Sequence, residues 1–151
     1  ADLVLAVVGV RPNTDLLQRA GASLGAGSAV VVDEAMRTGL PDVFAAGDGV
    51  ITHHRLLGQT YLPLGTTAHK QGRVAGENAL GGAARFAGSV GTQVVKVFDL
   101  VASRTGLRHH EAEAAGFSPA TRQQRSPRPP TTTSGTTPVP SRSVSASPAT
   151  R

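Results

Sequence analysis

The chain of 151 residues has no cysteine and no tryptophan, one tyrosine, one methionine and four phenylalanines. Without cysteine it has no disulfide, no thiolate metal site and no cysteine nucleophile of its own. With so few aromatic rings, stacking platforms for single-stranded nucleic acid are scarce. No apolar run approaches the roughly 20 residues needed to span a bilayer, and no basic region precedes an apolar one at the start, so no signal peptide is read. A soluble, cytoplasmic protein without a membrane partner is expected. The pairs His53-His54 and His109-His110 lie far apart, and neither has a third ligand at a recognisable spacing. Solvated loop histidines are expected, and no metal site.

The net charge of +5 suggests a nucleic-acid partner until it is divided. Residues 1–118 hold ten Lys plus Arg and ten Asp plus Glu, whereas residues 119–151 hold five Arg and no acid. All the excess positive charge is therefore in the tail. That tail also has seven of the ten prolines and thirteen Ser plus Thr, and its only large apolar side chains are Val139 and Val144. Such a composition buries too little apolar surface to offset the entropy of ordering, so residues 119–151 are expected to be disordered. An Arg-rich arm of this kind binds nucleic acid without sequence specificity, which is one reading of the chain's function.

Ordered structure is expected before the tail. Leu3-Val4-Leu5-Ala6-Val7-Val8 is a continuous apolar run of the kind that forms a strand buried on both faces. Its neighbours should come from elsewhere, so residue 1 reads as a cut through a larger domain. Asn13 or Thr14 is placed to cap a short helix over Asp15 to Ala20, with Gly21 at its end. Ala29 to Asp33 and Val43 to Ala46 read as short strands. Thr66 to Leu80 reads as a helix with Ala68, Val74, Ala75, Ala79 and Leu80 available to pack, and with Lys70, Gln71 and Glu77 facing water. Gly72 and Gly76, four apart on one face, suggest a close backbone approach to a neighbour or to a flat ligand.

The chain is organised around Leu40-Pro41-Asp42-Val43-Phe44-Ala45-Ala46-Gly47-Asp48 and the helix start at Pro63 to Thr67. A carboxylate just past the carboxyl end of a buried strand sits where parallel α/β sheets hold their ligands. Asp48 is in that position, although an aspartate there also suits the plain capping of a turn, and the stretch alone leaves both readings open. Pro63-Leu64-Gly65-Thr66-Thr67 would present backbone N–H groups at the positive end of a helix dipole, which favours an anion or a developing negative charge.

Four runs taken together, VVGVRPNTDLLQRAG, VVVDEAMRTGLPDVFAAGD, YLPLGTTAHKQGRVAGENALGG and GTQVVKVFDLVASRTGL, resemble the C-terminal part of the pyridine nucleotide-disulfide oxidoreductases. Within that family the similarity is to the branch of CoA-disulfide reductases and NADH oxidases, and it covers residues 1 to about 118. The resemblance implies an α/β fold: part of an FAD/NAD(P)-binding Rossmann-like domain, then the truncated start of an α+β dimerisation domain, then the tail. Residues 1–8 would be the last NAD(P)-domain strand, 9–82 the C-terminal part of the FAD domain and 88–118 the start of the dimerisation domain. The resemblance further implies that Gly47 and Asp48 belong to the second FAD motif, whose aspartate accepts a hydrogen bond from the ribityl chain. Leu64, Gly65, Thr66 and Thr67 would be the helix start facing the pyrimidine edge of the flavin ring, and His69 matches a substrate-contacting position. Gly91 to Leu107 would supply the first dimerisation strands and Glu111 to Gly116 a short helix. No catalytic residue is assigned.

The implied enzyme passes electrons from NAD(P)H through FAD to a small-molecule disulfide or to oxygen, as a homodimer. The first G-x-G-x-x-G motif, its NAD-binding counterpart and the redox cysteine are absent from the chain, which should bind FAD poorly and be inactive alone. A ferredoxin- or rubredoxin-type FAD reductase is the alternative within the family. The tail has a sharper reading as well. Residues 132–140 are compatible with the codons ACC ACG TCG GGT ACT ACC CCG GTG CCN, which, preceded by G, spell Asp-His-Val-Gly-Tyr-Tyr-Pro-Gly-Ala in the neighbouring frame. That string resembles the continuation of the dimerisation domain, so the tail is expected to be a frameshift product, and the gene's own codons test it.

Overall fold

The computed structural model describes residues 1–98, 100–124 and 141–148, with side chains described for residues 1–98 and 101–120. The chain divides into two units, one of residues 1–53 and 59–88 and the other of residues 54–58 and 89–151.

The first unit is built on very short pairings. Helix α1 (Asp15–Arg19) is followed by a turn of 3-10 helix at Ala26–Ser28. Thr14 precedes α1 but makes no side-chain cap to it; its hydroxyl, buried, donates instead to the Ser28 carbonyl at 2.8 Å. The expected strands at 29–33 and 43–46 are each reduced to single bridges. Val30 pairs in parallel with Val50 and antiparallel with Leu24, and Arg37 pairs antiparallel with Phe44. The Val30 N–H donates to Gly49 at 2.9 Å and the Ile51 N–H to Val30 at 2.8 Å. Around these bridges Ala22, Val30, Val32, Met36, Val50 and Phe86 form the core, with Leu17, Leu40, Ala45, Ala46, Val74 and Ala75 packed against it. Strands β1 (Thr52–His54) and β2 (Gly58–Thr60) form a two-stranded pair.

Residues 1–8, expected as a strand, have no regular structure, and Leu3, Val4, Leu5, Val7 and Val8 are each at least 80% exposed. A strand apolar on both faces needs a neighbour on each side, and the described residues supply none.

Helix α2 (Gly65–Ala79) occupies nearly the expected span, but its buried face differs from the pattern. Thr67, Gln71 and Asn78 are the buried residues, Val74 and Ala75 are half-buried, and Ala79 and Leu80 are exposed. Gln71, expected to face water, is fully buried, because its amide has two partners inside the unit. Gly72 and Gly76 are exposed, and a Cβ at either would meet nothing within 4 Å, so neither marks a close approach to another part of the described chain. Two glycines cost a helix interior about 1 kcal/mol each relative to alanine, so α2 depends on its packed and hydrogen-bonded face.

In the second unit, β3 (Gln93–Val97) and β4 (Leu100–Arg104) pair antiparallel, with Val95 opposite Ala102, and α3 (His109–Ala114) follows. His54 was expected to be solvated. It is 3% exposed, and its Nδ1 accepts from the N–H groups of Leu56 and Leu57 at 3.2 and 3.3 Å. β5 (Phe117–Gln124) pairs antiparallel with β6 (Ser141–Pro148), with Ala120 opposite Ser145. The ladder is held by backbone hydrogen bonds. Residues 125–140, which include the whole of the 132–140 frameshift string, lie outside the described residues.

Candidate functional site

The two stretches singled out by the sequence are brought together in the first unit. The chain leaves the Phe44 bridge through Ala45 and Ala46, and Gly47 turns it at φ +92°. That backbone conformation strains residues with a Cβ and is open to glycine. The turn lies against α2: a Cβ on Gly47 would be 3.6 Å from the Ala68 Cβ, and the Gly47 N–H donates to Gln71 Oε1 at 3.1 Å. Gln71 Nε2 in turn donates to the buried Thr52 hydroxyl at 3.2 Å. One amide thus joins the Gly47–Asp48 turn, the middle of α2 and the start of β1.

Asp48 follows the turn, exposed, and has no hydrogen bond or ion pair among the described residues. The capping reading of this aspartate is therefore not the arrangement found. At the start of α2 the N-cap is Leu64, which has no side-chain acceptor to offer. The N–H groups of Thr67 and Ala68 donate to the Leu64 carbonyl at 2.9 and 2.8 Å. This corrects part of the expectation: the Thr67 N–H is used within the turn, and its side chain is buried. The N–H groups of Gly65 and Thr66 have no acceptor among the described residues, and both residues are exposed. A Cβ at Gly49 or Gly65 would meet nothing within 4 Å, so the backbone at both places is open to a close-lying group.

The arrangement is thus an ionisable acceptor on one element and two unused donors at the positive end of a 15-residue helix, with the two elements tied together. It suits a ligand carrying a hydroxyl for the carboxylate and an electron-rich oxygen or nitrogen for the helix end. The residues present therefore fit the polyhydroxyl chain and carbonyl-bearing ring edge of a flavin. His69 lies in the second turn of α2, exposed. Among the described residues, no group of three or more His, Cys, Asp or Glu side chains could hold a metal ion, and no helix is long and apolar enough to cross a membrane.

Sequence reasoning missed Gln71. A glutamine on a helix carrying Lys70 and Glu77 looks solvent-facing, and only its spacing of four from Thr67 placed it on the buried face.

Comparison with known proteins agrees with this reading of the fold. Residues 1–72 match the family model described as pyridine nucleotide-disulphide oxidoreductase. The chain is 37% identical over 118 residues to the NAD(P)H sulfur oxidoreductase (CoA-dependent) of Pyrococcus furiosus, a match covering 78% of this chain and 27% of that protein. It is 40% identical over 107 residues to the NADH oxidase of Methanocaldococcus jannaschii, covering 70% of this chain and 24% of the relative. The solved FAD-dependent pyridine nucleotide-disulphide oxidoreductase from Desulfovibrio vulgaris superposes with a TM-score of 0.71 at 41% identity, over 77% of this chain and 30% of that one. The chain belongs to the pyridine nucleotide-disulphide oxidoreductase family and spans about a quarter of the length of these curated relatives.

Proposed function

We propose that this chain forms the ribityl- and ring-edge side of the flavin site in an FAD-dependent NAD(P)H oxidoreductase that reduces a sulfur-containing small molecule such as a CoA disulfide or persulfide. Asp48 accepts a hydrogen bond from a ribityl hydroxyl. Gly47 lets the chain turn past the cofactor, and Gly65 and Thr66 direct their N–H groups to the pyrimidine edge of the ring, with Leu64 and Thr67 holding that turn. When bound, the flavin supplies the two-electron chemistry between the nicotinamide and the acceptor. The free helix end then favours the negative charge of the reduced ring. The observation that carries this reading is the Gly47–Gln71 hydrogen bond, which fixes the turn bearing Asp48 against the helix whose first donors are unused.

The sulfur acceptor is favoured by the named activity of the Pyrococcus furiosus relative, and the NADH oxidase relative keeps oxygen as the competing acceptor. His69 would touch the acceptor. A homodimer is the proposed assembly of the whole enzyme.

The test is a chimaera in which residues 1–118 replace the matching segment of the Pyrococcus furiosus enzyme. The expected product is a yellow protein whose flavin absorbance bleaches with NAD(P)H, and Asp48→Ala in it lowers flavin retention. A folded chimaera that holds no flavin, or one in which Asp48→Ala has no effect, overturns the reading. Consumption of oxygen at the same rate with and without CoA disulfide would assign the acceptor to oxygen.

A further inference from the structure

We infer that Gln71 is a positioning residue for the flavin site: its buried side-chain amide sets the place of the Gly47–Asp48 turn relative to the start of α2. This inference rests on the flavin reading of Asp48. Gln71 is 0% exposed, which is costly for a primary amide unless its groups are bonded. Its side chain bonds in two directions: Oε1 accepts from the Gly47 N–H at 3.1 Å, and Nε2 donates to the Thr52 hydroxyl, itself 1% exposed, at 3.2 Å.

The orientation of the amide is therefore fixed by its partners. The Gly47 N–H can only donate, so the carbonyl end of the amide must face it, and the Thr52 hydroxyl takes the NH₂ end. The Gly47 N–H has no other acceptor among the described residues. The Gly47 carbonyl is held only locally, by the Val50 N–H at 3.2 Å, so the Gln71 bond ties this turn to α2. The contact also spans 24 positions of sequence, so it sets the distance between the carboxylate and the helix end, which no local turn could do. Gln71 is two turns into α2, one turn after Thr67, and so is too far along the helix to touch the group that Gly65 and Thr66 would meet. Its effect passes through Gly47.

The experiment uses the full 151-residue chain, ¹⁵N-labelled, with FAD as the titrant. Amide spectra report even weak binding through shifts at Asp48 and Thr66. In Gln71→Leu the Gly47 amide should exchange with solvent at least about tenfold faster, while the Ala68 amide, bonded to Leu64, stays protected and shows that α2 is intact. FAD affinity should fall about tenfold in step. Gln71→Glu, whose carboxyl still accepts from Gly47, should restore both values, and Thr52→Val should give an intermediate loss. Unchanged Gly47 exchange in Gln71→Leu overturns the positioning role. So does an FAD affinity that drops in Asp48→Ala yet is unmoved in Gln71→Leu, and that outcome leaves the flavin reading standing. No FAD-induced shift in the parent chain, or equal FAD binding by Asp48→Ala, overturns the flavin reading and the positioning role with it.

Discussion

Asn78 and Ala84 bond each other in both directions. The Ala84 N–H donates to Asn78 Oδ1 at 2.8 Å, and Asn78 Nδ2 donates to the Ala84 carbonyl at 2.8 Å. The same NH₂ also donates to the Ala35 carbonyl at 2.9 Å, so one buried side chain imitates a strand partner for the segment after α2 and ties it to the Asp33–Arg37 turn. This tie delivers Phe86 to the core, where its N–H donates to Glu34 at 2.8 Å. Asn78→Ala should therefore cost about 2–3 kcal/mol, because three backbone groups lose their partner at once. Asn78→Asp should cost a similar amount, since it keeps an acceptor for Ala84 but places a carboxylate against two carbonyls. Denaturant unfolding of the chain, followed by circular dichroism, measures both.

A second prediction separates backbone strain from crowding. Gly27 and Gly47 both have positive φ, +65° and +92°. A Cβ on Gly47 would sit in ordinary contact with Ala68, whereas one on Gly27 would be 2.8 Å from Cδ1 of the Tyr61 ring. Gly47→Ala should then lose about 1 kcal/mol for the left-handed backbone. Gly27→Ala should lose that and about 1–3 kcal/mol more for displacing a ring. Equal losses at the two sites in thermal unfolding would show that Tyr61 moves aside freely.

Much of this arrangement is legible in the sequence, and the parts that are not fail for identifiable reasons. Gly47-Asp48 and the helix start at Gly65 are punctuated by residue types whose conformational roles are local, so their elements are found near the expected places. Strands at 29–33 and 43–46 read clearly as apolar runs, yet a ladder is a property of neighbours, and only single bridges form around Val30 and Phe44. The polar face of α2 escapes an apolar-periodicity argument, since Gln71 and Asn78 are buried by hydrogen bonding and not by hydrophobicity. His54 was misread for the same cause: its acceptor role toward Leu56 and Leu57 is invisible in composition.

The start of α3 gives a pH prediction. The Arg108 N–H donates to Glu111 Oε2 at 2.7 Å, and the Arg108 guanidinium donates to Glu111 Oε1 at 2.9 and 2.6 Å. The Arg108 side chain first, then its backbone N–H, holds the Glu111 carboxyl at about 2 against an ordinary 4.5, with Arg104 adding a weaker attraction. A lowered carboxyl pKa stabilises the fold above the unfolded value, and that contribution is lost as pH falls through the folded one. The α3 amides should therefore lose protection progressively between pH 4.5 and about 2. In Glu111→Gln that loss should flatten, and the helix should be weaker at neutral pH. Solvent exposure and salt keep the effect modest, so raising the ionic strength should shrink the difference between the two proteins.

The last prediction concerns association. Leu3, Val4, Leu5, Val7, Val8 and Val10 are all at least 80% exposed, and in the second unit Val94, Val95, Val97 and Phe98 are more than half exposed. Each group is apolar and rich in β-formers, with at most one charged residue within its span, Lys96. Such segments pair edge to edge between copies when nothing covers them. Light scattering of the purified chain should then rise steeply with concentration. Val4→Lys with Val8→Lys should suppress the contribution of the first segment, and Val95→Lys that of the β3–β4 ribbon. The two effects should add if the segments act independently. If instead either double or single change abolishes scattering alone, one segment nucleates the assembly, and protection of its amides in the aggregate identifies which.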